Sequence, residues 1–152
     1  MSFLERMNLA QIPAGLAVMI WYGLQIIPQF DTRAVEDIAF GRSMIVAVVA
    51  GIVLSVVLSI TISVLTAIWV GRTEGYDRVD DTMSQEDERD RQVSRLGEAR
   101  GGQLLALFTV IALGAILLEH DRFWVAHILF VGLWLSSLYE AIVKQIAWRR
   151  GV

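Results

Sequence analysis

At 152 residues, with a net charge of −3 and 55% hydrophobic residues, the chain is short, slightly acidic and strongly apolar; its mean hydropathy is +0.56. No basic stripe is present, which argues against nucleic-acid binding. The absence of cysteine excludes disulfides, thiolate metal sites and cysteine nucleophiles.

Four runs, 9–28, 43–70, 101–118 and 123–139, contain no Asp, Glu, Lys or Arg. Crossing a hydrocarbon core of about 30 Å takes about 20 helical residues. The expected fold is all-α: a four-helix transmembrane bundle with the third helix extended into the cytoplasm. Residues 1–152 form one integral membrane domain with spans at about 9–28, 43–70, 101–119 and 123–147.

The first run begins after a thin charged region, Arg6, and ends in Pro28-Gln29-Phe30-Asp31 without a small-x-small cleavage site. It reads as a retained span rather than a removed signal peptide. Gln11 and Gln25 within it are expected to hydrogen-bond to neighbouring helices. In the loop that follows, Val35, Ile38 and Ala39 fall at helical spacing, which predicts a short helix lying on the membrane surface.

The second run, Ser43 to Val70, is 28 residues, or about 42 Å of helix. It must tilt or project beyond the core. Residues 71–84, polar and carrying Gly75, read as a cytoplasmic linker. A juxtamembrane helix over 85–100 is predicted to start at a capping box, Ser84-Gln85-Glu86-Asp87. Glu86–Arg89, Asp87–Arg91 and Arg95–Glu98 support it at helical spacing. Val93, Leu96, Arg100 and Leu104 lie roughly along one face, and Gly97, Gly101 and Gly102 predict a bend near the membrane surface. The loop Glu119-His120-Asp121-Arg122 is so short that the last two spans must form an antiparallel hairpin.

Four spans place both termini on one side. That side holds Arg6, Arg72, Arg78, Arg89, Arg91, Arg95, Arg100, Lys144, Arg149 and Arg150, ten positive residues against three, Arg33, Arg42 and Arg122. The bias predicts a multi-pass protein of the cell's inner (plasma) membrane, N-in and C-in. Trp21, Tyr22 and Trp124 are expected towards the outer interface, Trp69 and Trp148 at the inner one, and Trp134 buried near mid-membrane.

Asp87-Glu88-Arg89-Asp90-Arg91 before a membrane hairpin, Phe123-Trp124-Val125-Ala126-His127 within it, and Ile142-Val143-Lys144-Gln145 with Arg149-Arg150-Gly151 at its end together resemble a broad group of small bacterial and archaeal membrane proteins of unknown function. That group carries an Asp-Glu-Arg motif just before its last two spans. The resemblance covers roughly residues 85–152. It implies a four-span architecture and no activity, so it assigns no functional residue.

The candidate sites come from the residues themselves. Span two carries a small residue at every fourth position from Ser43 to Gly71, and Gly51, Ser55, Ser59 and Ser63 are the candidate helix-packing residues. Small-xxx-small spacing lets backbones approach closely. A four-residue period drifts about 40° per step, however, so the whole series cannot face one straight partner. Packing within the bundle is preferred over subunit association, and both over a hydroxyl-lined solute path. Glu140, the one acid inside an expected helical span, lies one turn from Lys144. An interfacial ion pair is preferred over a proton- or cation-coupling role, because Glu140 falls about 25 Å below Phe123, near the inner boundary. Asp87, Glu88, Arg89 and Arg91 are candidate docking residues, against the simpler reading of a solvated, self-paired helix face. Glu119, His120, Asp121 and His127 do not suit a metal, since adjacent turn residues point apart. No catalytic residue, metal or cofactor is expected.

The function expected is therefore that of a non-enzymatic interaction module or accessory subunit, with the lipid bilayer and a homo-oligomer or membrane-protein partner around it and no nucleic acid. The alternative is a small oligomeric transporter or channel using Glu140 and the span-two hydroxyls.

Overall fold

The computed structural model describes residues 3–73 and 88–150 and is helical almost throughout. Four long helices follow in order: α1 (Phe3–Ile26), α2 (Gly41–Thr73), α3 (Glu88–Leu117) and α4 (Arg122–Arg150). All four are long and apolar enough to cross a membrane. Large side chains such as Val53, Ile60, Val64, Leu107, Val110 and Leu117 remain on the outside, the reverse of what water tolerates in a contiguous patch.

The helices pack as two antiparallel pairs joined through α1 and α4. α3 and α4 share the largest interface, and α1 touches both α2 and α4. The α1–α4 register is fixed by polar contacts along its length. Gln145 Nε2 donates to Glu5 Oε1 at 3.1 Å, Asn8 Nδ2 donates to the Ala141 carbonyl at 2.8 Å, and Tyr22 meets His127 at the other end. Two apolar clusters close the ends. Val18, Tyr22, Ile26, Ile38, Ala47, Phe123 and Phe130 form the one beside the connecting loops. Val93, Ala147 and Trp148, with Leu4, form the one beside the termini.

α2 runs unbroken for 33 residues, about 50 Å. It continues to Thr73, so the first residues of the expected linker are helical. The capping box, Asp87, and the rest of the linker lie outside the described residues.

Two local expectations are corrected. The loop after α1 forms no surface helix but two short 3-10 segments, Ile27–Asp31 and Val35–Asp37. Pro28 opens the first of them. The Gln29 Oε1 then accepts from the Ala39 backbone N–H at 3.2 Å, which folds the loop back, and Ile38 drops into the core. In α3 the buried stripe is Asp90, Val93, Gly97 and Gly101, whereas Arg100 is exposed and Leu96 is 38% exposed. The helix passes unbroken through Gly97, Gly101 and Gly102. The first two are contact points rather than points of weakness: a Cβ at Gly97 would overlap the Lys144 side chain, and one at Gly101 would lie 2.9 Å from Glu140 Cβ.

The α3–α4 turn explains its own sharpness. The Glu119 N–H bonds to the Ile116 carbonyl and the His120 N–H to the Ala115 carbonyl, both at 3.0 Å. This is the Schellman arrangement, which places one residue in the left-handed region. That residue is Glu119, at φ 56°, where a Cβ is strained. Glu119→Gly should raise stability by about 0.5–1 kcal/mol, read as a higher melting temperature in detergent; an unchanged or lower value would show that the turn is not strained.

Candidate functional site

The α3–α4 seam holds the acid of span four. Lys144 Nζ donates to Glu140 Oε1 at 2.7 Å, one turn apart on α4, and lies 3.9 Å from Glu98 Oε1 on α3. Gly97 and Gly101 make room for both side chains, and the Ser136 carbonyl would stand 3.1 Å from a Cβ at Gly101. Glu140 is thus held between a cation and the backbone of the neighbouring helix. Lys144 keeps only 15% of its side chain exposed, its stem lying along α3 as long cationic side chains do at helix interfaces.

The span-two candidates separate into three kinds. Gly51 meets the edge of the Trp134 ring: a Cβ there would lie 2.6 Å from Cη2. Ser59 Oγ donates to the Ser55 carbonyl at 2.9 Å and Ser63 Oγ to the Ser59 carbonyl at 2.8 Å. These two hydroxyls are satisfied within their own helix, a back-bonding habit of helical serines. Ser55 lines the cavity between α1, α2 and α4.

At the terminal end, Glu88 is exposed, while Arg89 Nη2 donates to the Trp148 carbonyl at 2.7 Å. Trp148 Nε1 in turn donates to Asp90 Oδ1 at 2.7 Å. Two members of the Asp-Glu-Arg-Asp-Arg run therefore grip the end of α4, and Trp148 is buried against them. Arg91 is exposed in surface terms and engaged in an interaction of its own. Asp87 lies outside the described residues.

Sequence reasoning missed the pair at the opposite end. His127 Nδ1 lies 2.7 Å from the Phe123 carbonyl, which can only accept, so Nδ1 carries the proton. Nε2 then accepts from the Tyr22 hydroxyl at 2.7 Å. The His127 ring stacks on Phe123 with centroids 3.9 Å apart, and Phe40 meets it edge-on at 5.3 Å. Tyr22 and His127 are 105 residues apart in the chain, and no local spacing reveals such a partner. Both ring nitrogens are occupied, and among the described residues no group of three His, Asp or Glu converges as a metal site would require. Of the two span-one glutamines, Gln25 is exposed and Gln11 lines the cavity. The expected interhelical bonds are made instead by Asn8 and Glu5.

Comparison of the chain with family models, with curated proteins and with solved structures finds no match.

Proposed function

We propose that the chain is a multi-pass membrane protein that acts without catalysis, as an interaction module or accessory subunit. The observation that carries this reading is the placement of Glu140. A coupling carboxylate needs access to a pathway and freedom to change partners. Glu140 is instead clasped by Lys144 and packed on Gly101, while the Ser59 and Ser63 hydroxyls are bonded within α2. The resemblance of residues 85–152 to small four-span proteins of bacteria and archaea fits the same architecture and adds no activity.

Flux measurements test the reading. In liposomes carrying a pH-sensitive dye under an imposed ion gradient, wild type, Glu140→Gln and empty vesicles should behave alike. Proton movement in wild type that disappears in Glu140→Gln would replace this reading with an oligomeric transporter.

We also propose that the termini face the cytoplasm of a plasma membrane, on the ten-to-three excess of positive residues at that end. The chain has no cysteine, so single cysteines can report orientation. In intact cells an impermeant thiol reagent should label Thr32→Cys and leave Ser84→Cys untouched; the opposite pattern would invert the topology.

A further inference from the structure

Gly15 on α1 and Gly51 on α2 close on one edge of the Trp134 ring. A Cβ at Gly15 would lie 3.4 Å from its Cζ3, and one at Gly51 would lie 3.8 Å from the same atom. One helical turn further along each helix, away from their connection, come Gln11 and Ser55. The two helices run antiparallel, so this carboxamide and this hydroxyl arrive at one level. Both line a cavity of about 630 Å³ between α1, α2 and α4, walled mainly by apolar residues such as Ile12, Val48, Leu133 and Leu138. Sites for small molecules fall at about 300–1,000 Å³, mostly apolar with a few placed polar groups.

Two features of the lining select an occupant. None of the lining residues is charged, and taking a carboxylate or phosphate into apolar surroundings without a counter-charge is strongly unfavourable. Ser137 Oγ is already spent on the Leu133 carbonyl at 3.0 Å. Among the described residues, however, the Gln11 carboxamide and the Ser55 hydroxyl make no hydrogen bond. A hydrocarbon tail would fill the walls and leave both groups unanswered, at the cost of an unmade hydrogen bond for each. The occupant that answers both is apolar in bulk, uncharged, and carries an oxygen.

We propose that the α1–α2–α4 cavity is a binding site for a neutral, membrane-soluble lipid whose head presents one uncharged acceptor oxygen, a ring carbonyl or a hydroxyl, to the Gln11 carboxamide and the Ser55 hydroxyl. A quinone, through one of its two ring carbonyls, and a long-chain alcohol both offer such an oxygen.

The purified full chain in nanodiscs, with thermal melting and native mass spectrometry as readouts, tests it. Four probes are compared: a short-tailed benzoquinone, dodecanol, dodecanoate and dodecane. The quinone or the alcohol should bind saturably and raise the melting temperature, and whichever binds more tightly identifies the head. Dodecanoate and dodecane should bind at least about tenfold more weakly, since one hydrogen bond or one unpaired charge is worth about that factor. Gln11→Leu, which keeps the volume and removes the amide, should weaken the preferred probe about tenfold. Should Gln11→Leu not fold, Ser55→Ala, a minor change in size, should weaken it several-fold. Equal binding of all four probes, no saturable binding by quinone or alcohol, or unchanged affinity in the folded variants would overturn the proposal in favour of a groove that takes any acyl chain.

Discussion

Gly132→Leu should destabilise the protein by about 3 kcal/mol, at the upper end of the usual cost of overpacking. Gly132 on α4 faces Phe108 on α3, and a Cβ at that position would overlap Phe108 Cβ and lie 2.6 Å from its Cγ. These atoms sit at the root of the side chain, so a change of rotamer cannot clear them; the helices must separate. Between helices in lipid there is little hydrophobic drive, and close packing of small residues is a main source of attraction. Separation therefore forfeits contacts along the whole α3–α4 seam, including the Gly101–Glu140 approach. Gly114→Leu is the control, because nothing lies within 4 Å of a Cβ there. It should be neutral or slightly stabilising, as glycine is about 1 kcal/mol poorer than the best helix formers. Melting of both variants in one detergent decides the matter; equal melting would show that the two helices do not pack through Gly132.

The presence and order of four long helices were legible because charge-free runs of membrane-crossing length favour helix, although the helices themselves run on into charged residues such as Glu5, Arg6 and Arg72. The four-residue connection, residues 118–121, dictated a hairpin for the same kind of reason, since so short a link leaves the next helix nowhere else to go. The faces were less legible. Gly97 and Gly101 carry two meanings: a helix weakened by backbone entropy and a groove that admits a neighbour. The sequence offers no way to choose between them without knowing that Lys144 and Glu140 stand opposite. The apolar residue Leu96 drew the expected stripe aside, because periodicity weighs hydrophobicity and gives a glycine no direction. The polar pairs were hidden by distance along the chain. Asp90 finds Trp148 across 58 residues, and each would read as a solvated or interfacial residue alone. The loop after α1 was misread because the spacing of Val35, Ile38 and Ala39 says nothing of Gln29, whose side chain holds Ala39 from ten residues away.

Trp134→Ala should cost about 3 kcal/mol, at the low end for tryptophan because the residue is half-buried. The loss should be uneven. The indole edge is what Gly15 of α1 and Gly51 of α2 both close upon, and its ring meets Phe130 at 6.1 Å in the cluster beside the loops. Without it the α1–α2 pair loses its deepest purchase on α4, while the α3–α4 seam, built on Gly97, Gly101 and Gly132, keeps its contacts. Hydrogen exchange should therefore quicken in α1 and α2 and stay slow in α3 and α4. Trp134→Phe should lose much less than half as much. It retains a ring, and it removes an indole Nε1 that is buried without an acceptor, a group whose burial is unfavourable. If exchange in α1 were unchanged in Trp134→Ala, the anchorage of α1 would lie in its polar contacts to α4, from Glu5 and Asn8 at one end and Tyr22 at the other, and the indole would be filling space that those contacts create.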